Sequence, residues 1–233
     1  LLARIYLYTG EWENASKKST EVIENNALYV FENNPDKIFI KNSTETIWQF
    51  MPAFAGKNTD EGTLFFIASG PPQIVALSTS LVNSFAMNDV RKLRWISAVS
   101  NASGTWYYAS KYKEPRSTPV SREYSIVLRL TEQFLIRAEA RAQQENHAGA
   151  KDDLNKIRNR AGLTDVTSGS KEAILDAIAE ERKKELFTEY GHRFFDLKRT
   201  NKLDAILILK AGWETTDRLL PIPESEFLVN PSL

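Results

Sequence analysis

Hydrophobic positions follow helical spacing at both ends of the chain and lose it in the middle. Leu2, Ala3, Tyr6, Gly10, Trp12, Ala15, Val22 and Ile23 place residues 1 to about 27 in the pattern of a tetratricopeptide-like helical hairpin. In that pattern small residues let two helices approach closely. Leu130, Phe134, Ala138, Ala142, Ala150, Leu154 and Ile157 predict a second hairpin, and Ala138 and Ala150 repeat the spacing of Ala3 and Ala15. Between the two, residues 31–122 carry Pro35, Pro52, Pro71, Pro72, Pro115 and Pro119, with Gly56, Gly62, Gly70 and Gly104. Such residues interrupt helices. Only a short strand at Thr46–Phe50 and one or two helical turns at 80–85 are predicted there. The last third returns to helix, from an N-cap at Ser170 through 171 to about 190. Gly191 kinks or ends that helix, and a second runs to about Thr200. The prolines of the tail favour an extended entry into a short helix at Pro223. The pattern predicts a mainly helical fold: a hairpin over 1–30, an irregular aromatic-rich segment over 31–122, and a helical part over 123–233, in one domain.

Charge alters the picture in residues 180–203. On a 3.6-residue period Ile174, Ile178, Glu181 and Glu185 share one stripe. Two isoleucines need a core, so the carboxylates beside them are expected to be partly buried, and a buried carboxylate must be paired or hydrogen-bonded. Arg182, Arg193 and Arg199 are the nearby partners. The expected role is a structural ion-pair network of Glu181, Glu185, Arg193 and Asp196. The alternative is a catalytic carboxylate pair drawn from Glu180, Glu181, Glu185, Glu189 and Asp196, since glycosidases flank the scissile bond with two carboxyl groups. His192 could contact Glu189, but no nucleophile accompanies it, so a structural histidine is expected. His147 falls in the turn of the second hairpin and is expected to be exposed.

The irregular middle holds the other chemistry. Trp95, Trp106, Tyr107, Tyr108 and Tyr112 cluster there, and flat aromatic faces with a polar edge suit the C–H faces of sugar rings. These five are the candidate ligand-binding residues. Asn83, Asn88, Asp89, Arg91 and Arg94 are possible hydrogen-bonding companions.

Composition narrows the function classes. The chain has 233 residues, 42% hydrophobic and 26% charged, with 30 basic and 30 acidic side chains. Without a basic surplus, neither nucleic acid nor an anionic lipid surface is an expected partner. The absence of cysteine excludes disulfides and thiolate metal sites, and two histidines disfavour a histidine-rich metal centre. Phosphate-loop, HExxH and EF-hand spacings are lacking, so no cofactor is expected. No apolar run approaches the roughly 20 residues of a membrane span, and no signal-peptide pattern is seen. The chain opens inside a helical pattern without a start methionine or an N-cap, which reads as a piece whose N-terminal part, with any targeting signal, is missing.

Several segments resemble the SusD/RagB family of surface lipoproteins of Bacteroidetes. Gly191-His-Arg-Phe-Phe-Asp-Leu-Lys-Arg-Thr200 is similar to its C-terminal signature, within a block that matches from Leu175 onward. The run from Val127 to Ala140 resembles an RLAE-x-YLxxAEA helix, and Asp153 to Leu163 resembles an LNxIRxRAGL stretch. Leu220-Pro-Ile-Pro through Glu226, with Asn230-Pro231, resembles an LPIPxxE…NP ending. Glu45-Thr-Ile-Trp-Gln-Phe and Asn88-Asp-Val-Arg are weaker landmarks, the latter departing from an aspartate-glycine-arginine form. Taken together, these segments stand in the family's order and cover most of the chain.

The resemblance implies an all-α, tetratricopeptide-like α/α superhelix with an irregular face. It also implies a non-enzymatic nutrient-binding subunit, usually for glycans, on the outer-membrane surface, anchored through an N-terminal lipidated cysteine that this sequence lacks. The expected partners are a SusC-like TonB-dependent transporter and an oligosaccharide ligand. The signature block defines the fold rather than the ligand, so no catalytic residue is carried over. A tetratricopeptide-type scaffold for a peptide or protein partner is the alternative function, and a glycoside hydrolase the third.

Overall fold

The N-terminal hydrophobic pattern becomes helices α1 (Leu2–Thr9) and α2 (Trp12–Ile23) in the computed structural model, which describes residues 1–219 and 221–230. Gly10 ends α1 at φ 77°, a left-handed conformation that glycine adopts without the steric cost of a Cβ. Leu220 and Pro231, both in motifs quoted above, lie outside the described residues.

The middle is less irregular than its prolines suggest. It contains β1 (Thr46–Phe50), the short helices α3 (Asp60–Phe65), α4 (Thr79–Ser84) and α5 (Val90–Trp95), and the strands β2 (Ile96–Asn101) and β3 (Gly104–Ala109). Thr59, Ser78 and Asp89 cap the three helices, each side chain accepting a main-chain N–H of the first turn. β2 and β3 form an antiparallel hairpin in unbroken register, with Val99 opposite Trp106 and Ser97 opposite Tyr108. β1 pairs antiparallel with β4 (Ser125–Arg129). The run from Val127, expected to be helical, therefore begins as strand.

Helices α6 (Leu130–Gln143), α7 (His147–Arg160) and α8 (Lys171–Glu185) follow. α6 packs on α1, α2, α7 and α8, which explains why nearly every residue of it is buried. Its Ile136 and Ala140 meet Ala3, Leu7 and Ala15 of the first hairpin. Its Phe134, Ala138 and Ala142 meet Ala150, Leu154 and Ile157 of α7 and Ile174 and Ile178 of α8. The alanines at the crossings are fully buried, so an added side chain there would cost about 1–3 kcal/mol by overpacking. A second core beneath the strands joins Ile38, Phe39, Phe85, Trp95, Ile126 and Phe187.

Ser170 caps α8, accepting the N–H of Ala173. The helix ends at Glu185 rather than near Tyr190. The carbonyl of Glu185 accepts from the side chains of Lys111 and Arg129, so the helical ladder does not continue, and the chain turns through Thr188 (φ 59°) and Tyr190 (φ 41°).

By packing, the single domain expected for 1–233 divides into two units, Leu1–Tyr190 and Gly191–Leu233. The second contains α9 (His192–Arg199), α10 (Leu203–Leu207) and α11 (Glu224–Val229), with a 3₁₀ turn at Thr215–Arg218. Inside it Asp204 accepts from the indole of Trp213 and pairs with Arg218, and Asp196 pairs with Arg199. Among the described residues no helix is long and apolar enough to cross a membrane.

Candidate functional site

Two constellations in the first unit involve residues singled out by the sequence. The first surrounds the carboxylates of α8. Glu185 accepts from Arg91 of α5 at 2.9 Å, Arg129 of β4 at 2.8 Å and Arg160 of α7 at 2.6 Å. Glu181 accepts from Arg91 at 2.6 Å and from Arg158 at 3.4 Å. Arg91 is also gripped by both oxygens of Asp89, Arg160 pairs with Glu45, and Lys111 and Arg129 share Glu189. All of these except Arg158 are buried or nearly so. Five cations (Arg91, Arg129, Arg158, Arg160 and Lys111) meet five carboxylates (Asp89, Glu45, Glu181, Glu185 and Glu189), so the cluster carries no surplus charge to attract a ligand.

Burial alone would raise the Glu185 carboxyl, but Arg160, Arg129 and Arg91 together hold it well below the usual carboxylate range. Glu189, also opposed by burial, is drawn down to about 2 by Arg129 and Lys111. Lys111 is lowered to about 8, because burial costs its charge more than Glu189 returns. Its ammonium has no vacant donor. It reaches the carbonyls of Glu185 and Phe187 and the carboxylate of Glu189, 4.1 Å from the centre of the Phe187 ring.

The expected burial of Glu181 and Glu185 among arginines is met by residues that sequence proximity did not name. Their ion-pair partners come from α5, β4 and α7, far away in the chain, whereas Arg199 meets Asp196 within the second unit. Arg193 lies half-buried on α9, and His192 is buried at its start. Asp89 and Arg91, considered as surface hydrogen-bonding groups, are core residues of the cluster. Asn88 donates to the carbonyl of Gly162, and Asn83 is exposed on α4. His147 is partly buried at the start of α7, 3.1 Å from Glu145.

The second constellation is built by the β2–β3 hairpin. Trp106 and Tyr108 share one face of β3 and Tyr107 takes the other, as strand alternation requires. The indole of Trp106 lies on Gly70, where a Cβ would fall 2.0 Å from its ring carbons. Tyr108 stands edge-to-face with Phe66, ring centres 5.6 Å apart. These two rings, with Leu93, Arg94, Ser97 and Lys113, line an open cleft of about 560 Å³. Lys113 donates to the carbonyls of Arg94 and Ser110, fixing the cleft's far wall. Arg94 is exposed and paired with Asp36 at 3.2 Å.

Of the five aromatic candidates, Tyr108 and Tyr112 therefore reach one cleft. Tyr112 is half-buried against Phe39; burial pushes its phenol far up, against the opposing pull of the Ile126 N–H that its hydroxyl accepts. Trp95 is a correction. It is 0% exposed, packed edge-to-face on Phe39, and its indole N–H is spent on the carbonyl of Pro35. No face is left for a ligand. Phe66, at 37% exposure, was missed because it follows a short helix in the glycine- and proline-rich middle, where no regular pattern marks an exposed face.

Residues 3–233 match the model of the SusD family. The chain belongs to the SusD family. SusD-like protein P38 of Formosa agariphila is 33% identical over 135 residues, which is 53% of this chain and 26% of that protein. A SusD superfamily protein from Parabacteroides distasonis superposes with a TM-score of 0.79 at 23% identity, over 99% of this chain and 60% of that one. Surface glycan-binding protein A from Bacteroides thetaiotaomicron, in complex with laminarihexaose, superposes with a TM-score of 0.74 at 21% identity, over 97% of this chain and 60% of that one. This SusD-family chain thus spans about 60% of the length of these solved structures and a quarter of the curated relative. It shares their tetratricopeptide-like helical fold, and the likeness at this identity concerns the fold alone.

Proposed function

We propose that this chain is the binding portion of a non-enzymatic cell-surface protein that captures an oligosaccharide. The observation that carries the proposal is the cleft in which Tyr108 and Phe66 present aromatic surface beside the polar groups of Arg94 and Ser97. Sugar sites combine apolar faces with a few fixed polar groups in this way. Membership of the SusD family points in the same direction, and a structural relative holds laminarihexaose. Delivery to a SusC-like TonB-dependent transporter, from a lipid-anchored position on the outer membrane, is part of the same proposal and rests on family membership.

The carboxylates support binding without catalysis. A glycosidase acid must hold a proton near neutral pH. Glu185 and Glu189 are held as anions by arginine and lysine, and no carboxylate of the cluster lines the aromatic cleft.

The test is calorimetric titration of the chain with a glycan panel headed by laminari-oligosaccharides, beside a reducing-sugar assay. Saturable binding without release of reducing ends is expected. Silence across the panel, or hydrolysis of any member, overturns the proposal.

A further inference from the structure

A second groove lies in the same unit, on the helical side, and the carbohydrate reading does not use it. It is open, about 910 Å³, and runs between the end of α2, the segment that follows it, and helices α6 and α7. Ile23, Val30 and Phe31 supply apolar surface, and Lys156 and Arg137 supply charge.

Lys156 is the notable group. Its ammonium lies 5.1 Å from the ring centre of Phe31 and 4.9 Å from that of Phe134, and no carboxylate among the described residues pairs with it. A cation over an aromatic face is held by the ring quadrupole, which does not neutralise its charge. Arg137 adds to the positive side. It is bound to Asp153 at 2.7 Å, but Arg141 shares that carboxylate at 2.8 Å, so the triad keeps one net positive charge. Against these stands Glu24, the one carboxylate on the lining.

The aromatic rings cannot act as sugar platforms here. Phe134 is buried and meets Phe31 edge-on at 5.5 Å, and Arg160 and Lys156 cover the face of Phe31. The groove therefore offers aliphatic surface beside an unpaired cation. That chemistry fits a carboxylate side chain next to an apolar one.

We propose that this groove docks an acidic peptide segment of a protein partner, with Lys156 taking its carboxylate. The site is separate from the Tyr108 cleft and stands whether or not that cleft binds glycans.

An array of immobilised hexapeptides tests it. Each carries one central aspartate or glutamate among varied apolar neighbours, beside its asparagine or glutamine counterpart, and is probed with the purified chain. The acidic members should retain about tenfold more protein, the ratio expected of one added charge-assisted contact. Lys156→Gln should abolish that preference and Lys156→Arg should keep it, with both variants folded because the side chain is exposed. Equal retention of acidic and amide peptides, or a preference that survives K156Q, overturns the proposal. So does displacement of bound peptide by oligogalacturonate at concentrations where a soluble acidic hexapeptide fails, which would assign the groove to a sugar acid.

Discussion

Lys111 donates to the main-chain carbonyl of Glu185 at 2.7 Å, so a buried ammonium closes the last turn of α8. The same group reaches the carbonyl of Phe187 at 2.9 Å and thereby sets the turn that follows. Together with Arg129, which donates to the same carbonyl of Glu185, this side chain from the strand region fixes where a helix more than seventy residues later stops.

Replacing Lys111 with Met keeps most of its volume and removes three donors. Two carbonyls and the Glu189 carboxylate lose a partner inside the core. The expected cost is about 3–5 kcal/mol, the range for breaking a buried pair by removing one member. Urea unfolding checks it through a lower midpoint at unchanged slope. A midpoint within error of the parent would mean that the ammonium contributes nothing net.

Acid should dismantle the same cluster. Glu185 and Glu189 are depressed in the fold, so their contribution is complete above the ordinary carboxylate range and is lost as the pH falls from about 4.5 toward 2. Lys111 is depressed too, so the folded form sheds its proton first and its contribution improves as the pH rises through about 8. Tyr112 opposes that gain above pH about 10, because its buried phenol resists ionisation. Unfolding free energy measured from pH 2 to 6 should fall steeply at the acid end, and Glu189→Gln should flatten that fall. An equally steep fall in the variant would place the acid sensitivity elsewhere.

Gly70 has no room for a side chain, because the indole of Trp106 occupies the position of a Cβ. Gly70→Ala must push Trp106 off its seat on the hairpin. A loss of about 1–3 kcal/mol is expected from overpacking, with a shift of indole emission as the ring becomes more exposed. Unchanged emission would show that the loop moves instead of the ring.

The helical hairpins were legible because α1, α2, α6 and α7 meet through alanines at regular spacing, which local periodicity records. The β2–β3 hairpin was not legible in the same way: Val99 and Trp106 lie in β-forming runs on either side of Gly104, but the glycines and prolines around them masked the signal. The ion-pair partners were not legible either. Glu185 lies 94 residues from Arg91 and 56 from Arg129, and no local pattern joins charges across such distances. Nor was the burial of Trp95 visible. It ends a short helix whose inner face is defined only when Phe39 folds against it.

Trp95 and Tyr108 should therefore separate stability from binding. Trp95→Ala empties the centre of the second core, and truncation of a buried aromatic costs about 3–5 kcal/mol. Its melting temperature should drop sharply, whereas the affinity of the molecules that remain folded should hold. Tyr108→Ala removes a partly exposed ring at the edge of the cleft and should leave the melting temperature nearly unchanged. Its affinity for the best glycan of the panel should fall about tenfold, or 1.4 kcal/mol, the order of one lost stacking contact. Phe66→Ala should act in the same direction, and the double variant should lose less than the sum, since the two rings brace each other. Undiminished glycan affinity in both single variants would move the ligand away from this cleft.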